Sequence, residues 1–263
     1  PQHRIASGVP DTTAGAPGSE PPVEGGDDQE LTVPTPASRP DGPAPGRIAV
    51  GFINSLKMAA GTAVFGTTLV FCSAYLLEKT PGWAALRPLL RLLAMLPMAV
   101  PGLVLGLGYI FFFNEPANPL NALYHTMALL TLCTIVHFYT TGHLTAVTAL
   151  KALDAEFEAV SASLKVPFWT TFVRVTLPIC MPALVDIARY FFVNAMTTIS
   201  AVVFLYSPET KVASIAILNL DEAGEMGAAA AMAVLIAVAS SVAMLIFTAI
   251  AWWVNRRTQA WKG

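Results

Sequence analysis

Five long apolar stretches follow one another from Met58 onward, separated by short segments where charged residues gather. The first runs from Met58 to Leu77 without a charge. The second, about Leu89 to Phe113, contains Pro97 and Pro101, so a kink is expected in it. The third covers about Thr126 to Leu150, the fourth lies within Leu177 to Leu205, and the fifth spans about Gly227 to Val254. Each supplies the roughly 20 residues that a helix needs to cross a ~30 Å hydrocarbon layer. Pro178 and Pro182 predict an interfacial piece ahead of the fourth span. Lipid cannot satisfy open backbone groups, and no ten-residue alternating segment points to a barrel. The pattern therefore predicts an all-α membrane protein, a bundle of about five transmembrane helices.

Lys and Arg positions give the bundle a side. Lys79, Arg87 and Arg91 follow the first span, Lys151, Lys165 and Arg174 follow the third, and Arg256, Arg257 and Lys262 follow the last. In a five-span chain these segments share one side, expected to be cytoplasmic, with the C-terminus on it. The opposite loops hold no basic residue over Asn114–Asn121 and only Lys211 over Tyr206–Met226. Trp252, Trp253 and Trp261 flank the last basic cluster as interfacial anchors. Arg47 and Lys57 fall on the expected outer side, and a further span upstream would account for them.

Residues 1–47 read differently. They hold half of the chain's 20 prolines and an acidic run of Glu20, Glu24, Asp27, Asp28 and Glu30, with few large apolar residues. Such a segment cannot offset its ordering entropy, so a disordered tail or linker is expected ahead of a membrane domain over 48–263. It lacks the basic start and apolar core of a signal peptide. Because the chain starts at Pro1, a fragment or the second half of a fused protein is expected. Only 12% of residues are charged, about half of a soluble domain's share, which supports membrane spans over a large soluble core. The net charge of −2 offers no nucleic-acid surface. Cys72, Cys133 and Cys180 lack metal-ligand spacing and are expected to be ordinary buried thiols.

The segment between the third and fourth spans is the most informative. Asp154 can cap a short helix, and Glu156 and Glu158 suit its N-terminal end. Phe157, Val160 and Leu164 then recur on one face, and Pro167 closes the element. Such an amphipathic helix either lies on the membrane or docks into a soluble partner.

Glu158-Ala159-Val160 through Arg174-Val175-Thr176-Leu177-Pro178 resembles the EAA loop of type I ABC importer permeases. In that family the loop is a cytoplasmic coupling helix seated in a groove of the ATPase. Counted back from Leu177-Pro178, the family Glu falls on Ala159 and its Gly on Lys165. Counted from Glu158, the Gly falls on Leu164, so neither register keeps the glycine. The resemblance covers about Ile48 to the C-terminus and implies the type I, MetI-like permease fold. It implies ATPase coupling through Asp154, Phe157, Glu158, Ala159, Val160, Leu164, Lys165 and Pro167. It also implies partners: cytoplasmic ABC ATPase subunits, a second permease half (fused or separate), an extracytoplasmic binding protein and the lipid of a bacterial inner membrane.

A narrower resemblance rests on Leu96-Pro-Met-Ala-Val-Pro-Gly through Asn114, on His137-Phe-Tyr-Thr-Thr-Gly-His143, and on Val202-Val-Phe-Leu-Tyr-Ser-Pro-Glu-Thr210. These look like permeases of 2-aminoethylphosphonate importers, with ferric-iron and polyamine permeases as near relatives.

Polar residues at membrane depth are costly and default to functional hypotheses. His137, Tyr139, Thr140 and His143 gather on the third span, and Asn194, Thr197, Thr198 and Ser200 on the fourth. Hydrogen bonding between helices is the plain reading of each, and a translocation path the reading of the groups. Gly102 and Gly106 form a small-residue pair suited to close packing. Asp186 and Arg189, three apart, are expected to pair near the interface. The spacing of His125, His137 and His143 does not place them on one face, so neither a metal nor a cofactor is expected. No GxxxxGK[ST] loop or catalytic arrangement is present, so ATP must bind another chain. The competing classes are an ion-coupled secondary transporter, which calls for inward-facing acids, and a membrane scaffold, which calls for no mid-span polar groups.

Overall fold

A computed structural model describes residues 45–79, 85–153, 163 and 166–258. Helix α1 (Pro45–Gly61) continues through a π-turn, Thr62–Gly66, into α2 (Thr67–Lys79). Together they make a span over Ile48–Lys79, longer than the Met58–Leu77 run. The extra turns carry Asn54 and Ser55, polar residues that hydropathy alone discounts. Asn54 Nδ2 donates to the carbonyls of Glu209 (2.8 Å) and Lys211 (3.1 Å), and Ser55 Oγ accepts from Ala213 N at 2.8 Å. Their polar groups are thus satisfied where the helix meets a distant loop.

The second apolar stretch is interrupted, as its prolines predict, but by a full break between two helices and not a mild kink. Helix α3 (Arg87–Ala99) and α4 (Gly102–Phe113) meet at 106°. Pro101 is the cause: it bars helical backbone at Val100, which is extended at φ −93°, ψ 120°. The pair begins where Arg91 reaches Glu78 at the end of α2 and finishes with Phe113 in a cluster with Leu129. The two half-helices therefore bridge the length of the bundle jointly.

Helix α5 (Met127–Lys151) starts at Thr126, whose Oγ1 accepts from Leu129 N as an N-cap. The fourth span begins earlier than expected. A short helical turn, Phe168–Thr171, and a π-turn, Phe172–Thr176, run without a break into α6 (Leu177–Thr197). Pro178 and Pro182 therefore lie within one helical run over Trp169–Thr197, not in a separate interfacial piece. The π-turn sits where Pro178 withholds the donor that the Arg174 carbonyl would otherwise take. The run ends at Thr197, and residues 198–205 form turns that fold back inside.

Helix α7 (Ala213–Glu222) packs on α1 and leads into α8 (Met226–Thr258). Between them Gly224 adopts φ +79°, with Gly224 N on Asp221 O and Glu225 N on Leu220 O. That pair of bonds ends a helix only where a left-handed residue is tolerated, hence glycine.

The core has two main layers. One joins Met58, Phe113, Leu129, Leu130, Val202 and Leu205. The other joins Phe71, Tyr75, Leu150, Ile187 and Phe191, with Phe172 packed against it. Phe191 is fully buried between two glycines. A Cβ on Gly66 would meet its ring at 3.3 Å, and one on Gly142 at 3.0 Å, so both helices come close only because those side chains are missing. Helix α8 lies mainly outside, with only 11% of its most apolar window buried in the chain. Cys133 and Cys180 are buried, but Cys72 is exposed: it sits on the outer face of α2, opposite Val70, Phe71 and Ala74.

Candidate functional site

The coupling residues Asp154, Phe157, Glu158, Ala159, Val160, Leu164 and Lys165 lie outside the described residues. Pro167 is described and exposed. It is followed by Trp169, 68% exposed and stacked on Phe172 at 5.6 Å. Phe172 in turn meets Tyr75 edge-on at 4.7 Å, near Leu150 in the same cluster. The two ends of this connection, Lys151 and Pro167, thus lead into packed helices.

The polar residues of α5 divide into two places. Tyr139, Thr140 and His143 border a cavity of about 410 Å³ or the helix that walls it, between α2, α3 and α5. Leu76, Leu77, Leu90, Leu93 and Pro97 form its apolar walls, and Ser73, Tyr139 and His143 its polar side. Ser73 Oγ donates to Val70 O at 2.8 Å and stands 2.7 Å from Tyr139 OH. Tyr139 OH also lies 3.4 Å from His143 Nδ1, so Ser73, Tyr139 and His143 form one connected polar chain that ends on the Val70 carbonyl. Thr140 Oγ1 donates to Ala94 O at 2.8 Å and ties α5 to α3 just before Pro97. At the rim, Arg91 Nη2 holds both Glu78 oxygens at 2.9 and 3.1 Å, closing α2 onto α3.

His137 stands apart, facing the break between α3 and α4. Its Nδ1 is buried and has no hydrogen-bond partner among the described residues. A Cβ on Gly102 would come within 2.9 Å of His137 Cε1 and would also meet Ser200 Oγ. Gly106 faces Ala201 O in the same way, at 2.9 Å. Gly102 and Gly106 therefore let the start of α4 lie against the turns that follow α6. Two interrupted helices meet there beside His137, an arrangement that membrane proteins use where irregular backbone lines a cavity.

The α6 group separates. Thr198 is buried, caps the helix through its N–H on Asn194 O, and accepts Ser214 Oγ at 2.7 Å. Asn194 Nδ2 goes to Tyr190 O at 2.8 Å. The exposed Thr197 bonds back to its own helix at 3.3 Å. For these three the plain hydrogen-bonding reading is enough, and only Ser200 joins His137. Ser73 and Glu78 carry no signal of this pairing in the sequence beyond a lone serine inside the charge-free first span, and Arg91 reads there only as part of the basic side. Asp186 and Arg189 pair at 3.0 Å. Among the described residues no group of three or more His, Cys, Asp or Glu could hold a metal ion.

The comparisons with known proteins agree with this architecture. The inward-facing MetNI methionine ABC transporter contains a chain that overlays with a TM-score of 0.66 at 14% identity, over 80% of this chain and 97% of that one. A bacterial alginate ABC transporter, solved with a pentasaccharide-bound periplasmic protein, gives 0.62 at 16% identity, over 80% and 78%. At those identities the likeness is one of fold, the MetI-like fold of type I ABC permeases. In sequence, the ferric transport system permease protein FbpB of Actinobacillus pleuropneumoniae is 35% identical over 158 residues, covering 60% of this chain. The matched stretch is 23% of that relative, so this chain spans less than a quarter of it. The Salmonella choleraesuis protein named for 2-aminoethylphosphonate transport, permease PhnV, is 24% identical over 216 residues, 78% of this chain and 80% of that one. The family model described as binding-protein-dependent transport system inner membrane component matches residues 82–258, from the connection before α3 to the end of α8. With more than half of its length matched, and with the fold of such permeases, the chain belongs to the binding-protein-dependent transport system inner membrane components.

Proposed function

We propose that this chain is the permease subunit of an ATP-driven importer and that its cargo is 2-aminoethylphosphonate. The observation that carries the cargo is the alignment with the Salmonella phosphonate permease, which extends along most of both chains. A cytoplasmic ATPase pair would close on the 154–167 segment. The push would reach α5 at Lys151 and α6 at Trp169, and would alter how the start of α4 rests on the turns after α6. A binding protein would deliver ligand to the opposite end, and a second permease half, fused or separate, would complete the path. The Lys151 end and the C-terminus would then be cytoplasmic.

Ferric iron is the second reading, favoured by the higher identity to the ferric permease over a shorter stretch. Reconstitution with the ATPase and candidate binding proteins separates the two. Stimulation of ATP hydrolysis by 2-aminoethylphosphonate-loaded binding protein is expected. Stimulation by iron-loaded protein alone overturns the cargo, and absence of any ATPase association overturns the importer reading.

A further inference from the structure

Asp186 and Arg189 stand one turn apart on α6, with Arg189 Nη2 3.0 Å from Asp186 Oδ1. Their depth follows from their neighbours. Ile187 lies against Gly142, where an added Cβ would sit 3.5 Å from Ile187 Cγ2. Gly142 is nine residues before Lys151, the end of α5. At the rise of an α-helix this is about 14 Å, and Arg189, two residues past Ile187, lies about 3 Å further along. Thr248, 3.5 Å from Arg189 Nη1, places the pair from α8. It stands six residues before Val254, where the apolar run gives way to Arg256 and Arg257, about 9 Å in. The pair therefore lies about 9 to 17 Å along the helices from their basic ends.

Ionised side chains at that depth normally face a watery cavity or a charged partner. Each of these two has the other as its charged partner, and within this chain Asp186 is 48% exposed and Arg189 33%. Ile187 and Phe191, on another face of α6, are the residues packed into the bundle. Open opposite charges inside a span form a neutral site with one acceptor and one forked donor.

We propose that Asp186 and Arg189 form a subsite for a zwitterionic ligand on the permeation path, with the carboxylate taking an ammonium group and the guanidinium a phosphonate. This rests on the aminophosphonate reading above. A zwitterion with a singly ionised phosphonate exchanges the internal ion pair for two external ones, so no charge is left unpaired in a low-dielectric setting. A ligand with one charge would strand either Asp186 or Arg189. The planar guanidinium also suits the oxygens of a phosphonate.

The test is uptake of labelled 2-aminoethylphosphonate by cells expressing the complete transporter, normalised to assembled complex. Asp186→Asn and Arg189→Gln are each expected to lower uptake by about tenfold or more, as the loss of one charged hydrogen bond implies. Asp186→Glu, which keeps the charge, is expected to retain most of it. The double variant Asp186→Asn/Arg189→Gln removes both charges at nearly constant shape. If the pair only supports structure, that double variant restores uptake, because a neutral replacement is tolerated where a broken pair is not. Such restoration overturns the proposal. A second measurement avoids dependence on uptake: in a Cys72→Ser background, the thiol introduced by Asp186→Cys should react with a water-borne cationic thiol reagent. No reaction also overturns the proposal. Wild-type transporter that ignores 2-aminoethylphosphonate refutes the aminophosphonate reading instead, which separates the two failures.

Discussion

Gly106 and Gly108 lie two residues apart on α4 and meet opposite surroundings. A Cβ on Gly106 would stand 2.9 Å from Ala201 O, whereas one on Gly108 has nothing within 4 Å. Both changes to alanine gain about 0.8–1.0 kcal/mol of helix propensity. For Gly108→Ala nothing opposes that gain, so stabilisation of about 1 kcal/mol is expected. For Gly106→Ala the methyl must displace a carbonyl, which cannot swing away as a side chain can. Ala201 is fully buried and its carbonyl also accepts Cys133 Sγ at 3.4 Å. Overpacking of this kind costs about 1–3 kcal/mol. The balance for Gly106→Ala is then between neutral and about 2 kcal/mol destabilising, leaving the two variants about 1–3 kcal/mol apart. At about 2–4 °C per kcal/mol for a chain of this size, their melting points should differ by several degrees. Thermal unfolding in detergent, followed by helical circular dichroism, reads this directly. If Gly106→Ala melts with or above Gly108→Ala, the close contact of α4 with the turns after α6 is wrong.

Three further outcomes follow from other parts of the molecule. Phe157→Ala combined with Glu158→Lys should leave ATP hydrolysis running while uptake falls, and wild-type uptake in that double variant sinks the coupling assignment. Tyr139→Phe removes the hydroxyl that links Ser73 to His143 and should cost about 1–3 kcal/mol; an unchanged melting point would mean that this polar chain does not hold α2 to α5. Asn54→Leu strips the Glu209 and Lys211 carbonyls of a donor. Cleavage by trypsin at Lys211 should therefore speed up, and an unaltered rate would mean that Asn54 does not hold this loop.

The sequence carried the class of this protein because hydrophobic run length is a local property. Runs such as Met127–Lys151 and Met226–Arg256 are long and apolar enough to cross a membrane whatever lies beside them. Pro101 likewise signalled an interruption locally, since it constrains Val100 directly. The size of the bend, 106°, was not legible, because it depends on what the two half-helices rest against. The start of the first span was misplaced for a related reason. Asn54 and Ser55 read as polar, and only their bonds to residues more than 150 positions away make them part of a buried helix.

The candidate site shows the same division. Chain order alone put His137, Tyr139, Thr140 and His143 on one helix. Only packing separated His137, beside Gly102 and Ser200, from Tyr139 and His143, beside Ser73. The i, i+3 spacing of Asp186 and Arg189 made them a pair in the sequence, but their depth and exposure came from where Ile187 meets Gly142. Length, hydropathy and proline placement act through neighbours along the chain, so they specify helices, breaks and a membrane setting. Burial and hydrogen-bond partners arise where distant segments touch, and for this chain those contacts decide which polar groups bond to one another and which do not.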